Sequence, residues 1–347
     1  MAANPKPLAG LADGQGKKAV VVRRKNPTLV KGRTKKAESY HVYHAEAHVL
    51  SGHLKHPVEQ SIEHHARVVL ESRRANHLSE SVEEFNLEGL ISVKSGHTRV
   101  SGAKVEKRDF WGKDHSGWVT LSTTVLEGLN VFEVITADRL VAQVSTEHAF
   151  VDGHVPKVTF LGTRFENLRV GGYPVQLELD LDICGDRPKG DKPYLEDPGF
   201  LHRVEAQLKD IADAKGLPED MEKEYAGKVR YINTLRKNGI TRPKQGGKSY
   251  PKVECSLIKS IGAIPIPGVK TFGNVIFIPD FGAVSLAGVE VGIKHNEHSF
   301  LGKEQNGSGP GGDGNYFTLQ MLNMRLGCIG GGIVVAASAS TNGKTKP

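Results

Sequence analysis

The stretch YHVYHAEAHVL, residues 40–50, decides how this chain is read. Its period is two, so on a strand His44, Glu46 and His48 stand at i, i+2 and i+4 on one face. That pattern fits a polar strand face and it also fits a metal centre. Two imidazoles and a carboxylate suffice for zinc, iron or manganese, with water in the open positions. Distance weighs against the full trio. From i to i+4 a strand spans roughly 13 Å, so the outer histidines reach one ion only through a bulge or a sharp bend. Adjacent pairs, about 6–7 Å apart, can share an ion if a third ligand comes from elsewhere. The preferred reading is a strand face with no cofactor; one divalent metal is the alternative. The four other histidines between Ser51 and Ala66 (His53, His56, His64 and His65) surround Pro57 without a steady period and read as loop or strand edge.

Outward from this stretch the texture stays β. Phe85–Val93 and His97–Val105 read as strands joined at Ser95-Gly96. Gly117–Glu127 is rich in Thr, Val and Trp, which suit a pleated, half-buried surface. Leu140–Thr146 and Lys157–Arg164 are similar, and Val125–Leu140 leans to strand. Pro174–Cys184 alternates most clearly. Val175, Leu177, Leu179, Leu181 and Ile183 take one face, and Glu178, Asp180 and Asp182 form an acidic stripe on the other.

The pattern then changes to a helical one. Asp197-Pro198 is a start signal, Leu201, Val204, Leu208 and Ile211 follow at helical spacing, and Gly216 is a stop. Pro218 opens a second stripe of Met221, Tyr225, Val229, Ile232 and Leu235, closed by Gly239. Strand texture returns at Val253–Ile261, Asn274–Pro279, Ala283–Ile293, Tyr316–Leu326 and Ile333–Ala339, interrupted by the glycine-rich loop Gly302–Gly314. The expected fold is mainly antiparallel β, sandwich- or barrel-like, with an inserted helix pair. Four regions follow: a basic flexible arm (1–38), a β-rich region (39–187), a helical pair (196–239) and a second β-rich region (250–347) that can share a sheet with the first.

Charge is unevenly placed. Of 46 Lys and Arg and 39 Asp and Glu, residues 1–40 hold ten and two, a net of +8. The other residues therefore hold 36 and 37, a net of −1. Arg23, Arg24, Lys25, Lys31, Arg33, Lys35 and Lys36 form most of the arm. It can bind nucleic acid or another polyanion by releasing counterions, or meet the Glu178/Asp180/Asp182 face of another copy. It carries no aromatic before Tyr40 for base stacking. Three cysteines, 71 and 73 residues apart, argue against a disulfide framework. No apolar run is long enough to span a membrane and the N-terminus lacks a signal-peptide core, so a cytoplasmic location is expected, with unconventional export left open.

Catalytic signatures fail on context. Gly307, Gly309 and Gly312 match G-x-G-x-x-G, but Pro310 sits inside and no strand-to-helix step surrounds them. Gly247-Lys248-Ser249 resembles the end of a phosphate loop, yet Arg242 stands where its first glycine belongs. Glu147-His148 with Asp152 and His154 is a small cluster near a turn. The chain therefore leans away from an enzyme.

Longer stretches carry a family resemblance. GWVTLSTTVLEGLNVFEVITADRLVAQVSTEH (Gly117–His148) and VPKVTFLGTRFENLRVGGYPV (Val155–Val175) resemble a family of uncharacterised bacterial proteins of similar length. HAEAHVLSGHL (His44–Leu54), VECSLIKSI (Val253–Ile261) and VIFIPDFGAVSLAGV (Val275–Val289) extend it. The resemblance implies a bacterial source and one integrated architecture, and transfers no catalytic residue. The functional expectation is a non-enzymatic β-rich structural or binding protein that associates with copies of itself. Metal binding at His44, Glu46 and His48 and polyanion binding through the arm are the alternatives.

Overall fold

In the computed structural model, residues 40–106, 116–150, 155–190, 192–240, 250–294, 314–328 and 330–346 are described; the basic arm and residues 302–313 of the glycine-rich loop lie outside them. The alternation of residues 40–50 runs on into a fifteen-residue strand, β1 (Tyr40–Leu54). After it come β2 (Gln60–His65), β3 (Val68–Ser72), β4 (Asn76–Val82), β5 (Phe85–Leu87), β6 (Ile91–Val93), β7 (Ser95–Val105), β8 (Gly117–Val131) and β9 (Ile135–Ala149). Short strands β10 (Lys157–Thr159), β11 (Arg164–Glu166), β12 (Arg169–Val170), β13 (Tyr173–Pro174) and β14 (Leu177–Leu179) lead to helices α1 (Pro198–Ala212) and α2 (Glu219–Asn238). The chain closes through β15 (Lys252–Ser256), β16 (Ile258–Ile261), β17 (Lys270–Phe272), β18 (Val275–Ile278), β19 (Gly282–Lys294), β20 (Gly314–Leu326), β21 (Gly332–Thr341) and β22 (Lys344–Lys346).

Among the described residues all strand pairs are antiparallel, whether joined by a turn, as β8 and β9 are, or distant in sequence, as β1 and β21 are. One sheet runs β17-β18-β19-β20-β21-β1-β2, with β15 on β19 and with β3 and β22 on β1. It joins the two β-rich regions of the sequence, since β1 pairs with β21 from Ala45↔Thr341 to Leu54↔Gly332. The second sheet runs β13-β12-β9-β8-β6-β5, with β7 on β8, β4 on β7, and β10 and β11 on β9. The two sheets face each other as a sandwich. Ser122 Oγ on β8 donates to Glu46 O on β1 (2.8 Å), and Thr124 Oγ1 donates to Ser338 O on β21 (2.6 Å). Gly102 on β7 leaves room for the Tyr43 ring, which a Cβ there would overlap. On β8 it is Thr120, Ser122 and Thr124 that are fully buried, while Val119 and Leu121 are half-buried.

A crease crosses the first sheet. Pairing on β19 and β20 passes from Leu286↔Leu322 to Gly288↔Gln320 and skips Ala287 and Met321. It skips Met321 and Ala337 between β20 and β21, and Ala337 and Val49 between β21 and β1. Ala287 (φ 43°) and Ala337 (φ 52°) are left-handed, and all four skipped residues are fully buried. One left-handed residue rotates the strand, so two successive side chains face inward and the outward ones are spaced by three instead of two. Gln320 and Asn323, Ser285 and Gly288, and His48 and Ser51 straddle the line in this way.

The rotated carbonyls find donors. Ser256 Oγ reaches Leu286 O (2.8 Å) and Ala287 O (3.1 Å), and Asn274 Nδ2 reaches Leu286 O (3.1 Å). Buried carbonyls rarely go unpaired. Gln207 of α1 grips the same Ser256, accepting from its N–H (2.7 Å) and donating to its carbonyl (3.0 Å). The helix pair is thereby seated at the end of the crease.

The helices form where their signals stand. The Asp197 carboxylate accepts from Phe200 N–H (2.7 Å), and Pro198 opens α1. In α2, Glu219, Asp220 and Glu222 occupy the first turn and Arg236 and Lys237 the last, matching the helix dipole. Cys184 and Cys255 are buried and Cys328 is exposed, all as free thiols. No described helix is long and apolar enough to cross a membrane.

Two sequence expectations change and a third is refined. Pro174–Cys184 is not one strand: β14 ends at Leu179 and residues 181–184 turn, although Val175, Leu177, Leu179 and Leu181 still pack on the core. The turn expected at Ser95-Gly96 lies instead at Glu88-Gly89, both left-handed, and Ser95 opens β7. Val125–Leu140 spans two strands, with Phe132 and Glu133 turning between them.

Valine is a better strand former than alanine, yet Ala337→Val should destabilise the fold by about 2–3 kcal/mol, because a β-branched residue is strained at positive φ. Urea unfolding monitored by circular dichroism measures this; equal or greater stability would contradict the crease.

Candidate binding cleft

The crease decides which side chains stand on the outer face of the first sheet. Thr318, Gln320, Asn323 and Arg325 project there from β20, Glu290 from β19, and Lys252 and Glu254 from β15. Helix α2 lines the opposite side with Glu224, Tyr225 and Lys228. Between them lies a cleft of about 410 Å³. Gly288 is part of its lining, and a Cβ there would meet nothing within 4 Å.

Charges of opposite sign alternate around the rim. Lys228 Nζ bridges Glu224 Oε1 (2.6 Å) and Glu254 Oε2 (2.8 Å), and lies 4.5 Å from the centre of the Tyr225 ring. Arg325 Nη1 holds the other Glu224 oxygen at 2.6 Å. Lys252 pairs with Glu290, whose second oxygen accepts from Tyr316 OH (2.8 Å). Arg325, Glu224, Lys228 and Glu254 therefore form one chain of ion pairs, and Lys252–Glu290 is a second pair beside it. Amides stand alongside, with Asn323 donating to Gln320 (3.0 Å).

Glu224, Lys228, Lys252 and Arg325 are held in their charged forms. Burial opposes charge on Glu224, but hydrogen bonds from Lys228 and Arg325 outweigh it and hold the carboxyl below its ordinary range. Burial likewise opposes Lys228, and Glu254, Tyr225 and Glu224 together more than offset it, raising the ammonium's pKa. The hydrogen bond to Glu290 raises Lys252. Burial and the Glu290 hydrogen bond raise the Tyr316 phenol, which stays protonated.

The His44, Glu46 and His48 trio stands on one face of β1, half-buried to buried, as its spacing requires. Each of the last two is engaged within the chain. Arg67 Nε holds Glu46 at 2.8 Å. His48 Nε2 and Ser51 Oγ share a 3.1 Å hydrogen bond across the crease, and the His64 ring meets His48 edge-on at 4.6 Å. Among the described residues no group of three or more His, Cys, Asp or Glu is placed to share one ion. Burial, with His64 nearby, pushes His48 down to about 4.

In the acidic stripe, Glu178 pairs with Lys259 (2.6 Å), whose hydrogen bond holds its carboxyl below the usual range, and the Asp180 carboxylate accepts from Asp182 N–H (3.0 Å). Arg23, Arg24, Lys25, Lys31, Arg33, Lys35 and Lys36 lie outside the described residues, as do Asp152 and His154.

Sequence reasoning missed the cleft. Its charged residues come from α2, β15, β19 and β20, as much as 101 positions apart for Glu224 and Arg325. The one local trace was the Glu224/Lys228 pair at helical spacing. An aromatic cluster was also missed: His41 stacks on Trp118 (5.4 Å), Trp118 meets Phe150 (4.5 Å), and burial together with His148 takes His41 down to about 3.

Residues 41–292 match the family described as Domain of unknown function (DUF8256), and the chain belongs to it. No curated protein and no solved structure matches the chain. The matched stretch carries α2, β15 and Gly288; β20, with Arg325, follows it.

His48 has its folded pKa below its unfolded value of 6.5. The unfolded chain therefore takes up a proton first on acidification, and stability is lost from about pH 6.5 down to about 4. His48→Gln should flatten that loss by about 3 kcal/mol. Paired urea titrations across this window measure it, and parallel curves would refute it.

Proposed function

We propose that this chain is a non-enzymatic β-rich binding protein whose working surface is the cleft between α2 and the outer face of the first sheet. The observation that carries the reading is the Arg325–Glu224–Lys228–Glu254 chain of ion pairs, with the Lys252–Glu290 pair beside it, around an open lining at Gly288. Proton-transfer catalysis wants groups poised near the working pH. Here Glu224, Lys228 and Lys252 are driven further into their charged states. Such groups, with amides beside them, hold a polar molecule by charge and hydrogen bonds. The volume falls within the range of small-molecule sites.

Gly288→Phe should fill this space with little loss of stability. A thermal-shift panel of free amino acids, monosaccharides and dicarboxylates tests the reading. At saturating concentration a true ligand raises the melting temperature of the wild-type chain by several degrees, and the Phe variant loses that response. No response from the panel, or an equal response from both proteins, counts against the cleft.

The net charge of +8 in residues 1–40 supports a second role, docking on a polyanion. Binding of the full chain to duplex DNA should weaken steeply with salt and disappear when residues 1–38 are removed. Unchanged binding by the truncated chain would rule this role out.

A further inference from the structure

We propose that β4 is the interface through which two copies of this chain pair, antiparallel and edge to edge, independently of the cleft. β4 is hydrogen-bonded to β7 from Asn76↔Gly102 to Val82↔Gly96, without a bulge, and β7 is its sole strand partner among the described residues. Asn76–Ser81 are exposed in succession, so neither face of the strand is covered. Edges are ordinarily protected by proline, lysine, a bulge or a covering element. NHLSESV has no proline or lysine and, among the described residues, no bulge or covering element; it carries Leu78, 37% exposed, next to its middle.

Charge identifies the occupant. Exposed Arg73 and Arg74 precede the strand and exposed Glu83 and Glu84 follow it. A second β4 laid antiparallel sets the two arginines of each copy against the two glutamates of the other, at both ends. A parallel partner would set like charges together. Twofold pairing requires both residues of a pair to direct their backbone groups to the same side, so the axis passes through a residue. Through Leu78, the axis brings Leu78 against its counterpart, His77 against Ser79, Asn76 against Glu80 and Arg73 against Glu83. Through Glu80 it would oppose two carboxylates. Through Ser79 it would set Leu78 against Glu80. The Leu78 axis therefore fits best, and it fuses the second sheets of two copies. A single seven-residue strand buries little area, so the dimer is weak and concentration-dependent.

Sedimentation velocity of the full chain from low to high micromolar concentration, in low salt, tests this. Wild type should shift toward dimer. E83K/E84K, basic at both ends, and R73E/R74E, acidic at both ends, should each lose association by at least tenfold, and an equimolar mixture of the two should regain it. Leu78→Cys in a Cys328→Ser background should form an oxidised dimer, which reports the same contact in a chain with its flanks intact. A wild-type monomer throughout, charge variants that associate as wild type does, or a mixture that stays monomeric overturns the proposal. So does association that vanishes only when residues 1–38 are deleted.

Discussion

Two alanines in the left-handed conformation set the geometry on which the rest depends. Ala287 and Ala337 cost about 1–2 kcal/mol each in backbone strain. In return the crease turns Leu286, Ala287, Ala336 and Ala337 inward in adjacent pairs, all fully buried. The carbonyls it rotates are met from both sides of the sheet. Ser256 and Asn274 reach Leu286 O, and Thr124 crosses from the facing sheet to Ser338 O. Because Ser256 also holds Gln207, one set of hydrogen bonds aligns the sandwich and seats the helices. The cleft is a consequence: α2 follows α1, and the crease presents Gln320 and Asn323 beneath it.

The same crease separates two environments along one sheet. On β1 it brings Ser51 under His48, where a neutral imidazole takes part in a local contact. On β20, Arg325 lies beyond it and meets Glu224 of α2. Its charge is held by a carboxylate that is itself shared with Lys228. The first arrangement resists protonation through burial, and the second resists neutralisation through pairing. A site that binds by fixed charge needs the second kind. The cleft and β4 lie on different sheets, so ligand binding and pairing of copies can be measured separately.

Much of the β texture was legible because its cause is local. Strand alternation in residues 40–50, the Asp197-Pro198 start and the Gly239 stop each reflect a preference of a few neighbouring residues. The misreadings share another cause. In Pro174–Cys184 the alternation of Leu179, Leu181 and Ile183 persists through a turn, since a turn packed on the core also needs apolar residues inward. The burial of Ser122 and Thr124 on β8 had no local signal at all, because the carbonyls they meet belong to the opposite sheet.

The sequence by itself determined the class of fold, the helix pair, the charged arm on a near-neutral remainder and the common face of His44, Glu46 and His48. Periodicity, capping and composition act over distances the chain order records. Only the tertiary structure decided that two sheets face each other, that Glu46 pairs with Arg67, and that Glu224, Lys228, Glu254 and Arg325 converge. It also decided which strand is left at an edge. Those outcomes depend on pairings such as Ala45↔Thr341. Partners so far apart are chosen by burial and by satisfying backbone hydrogen bonds throughout the sheet, which no local pattern encodes.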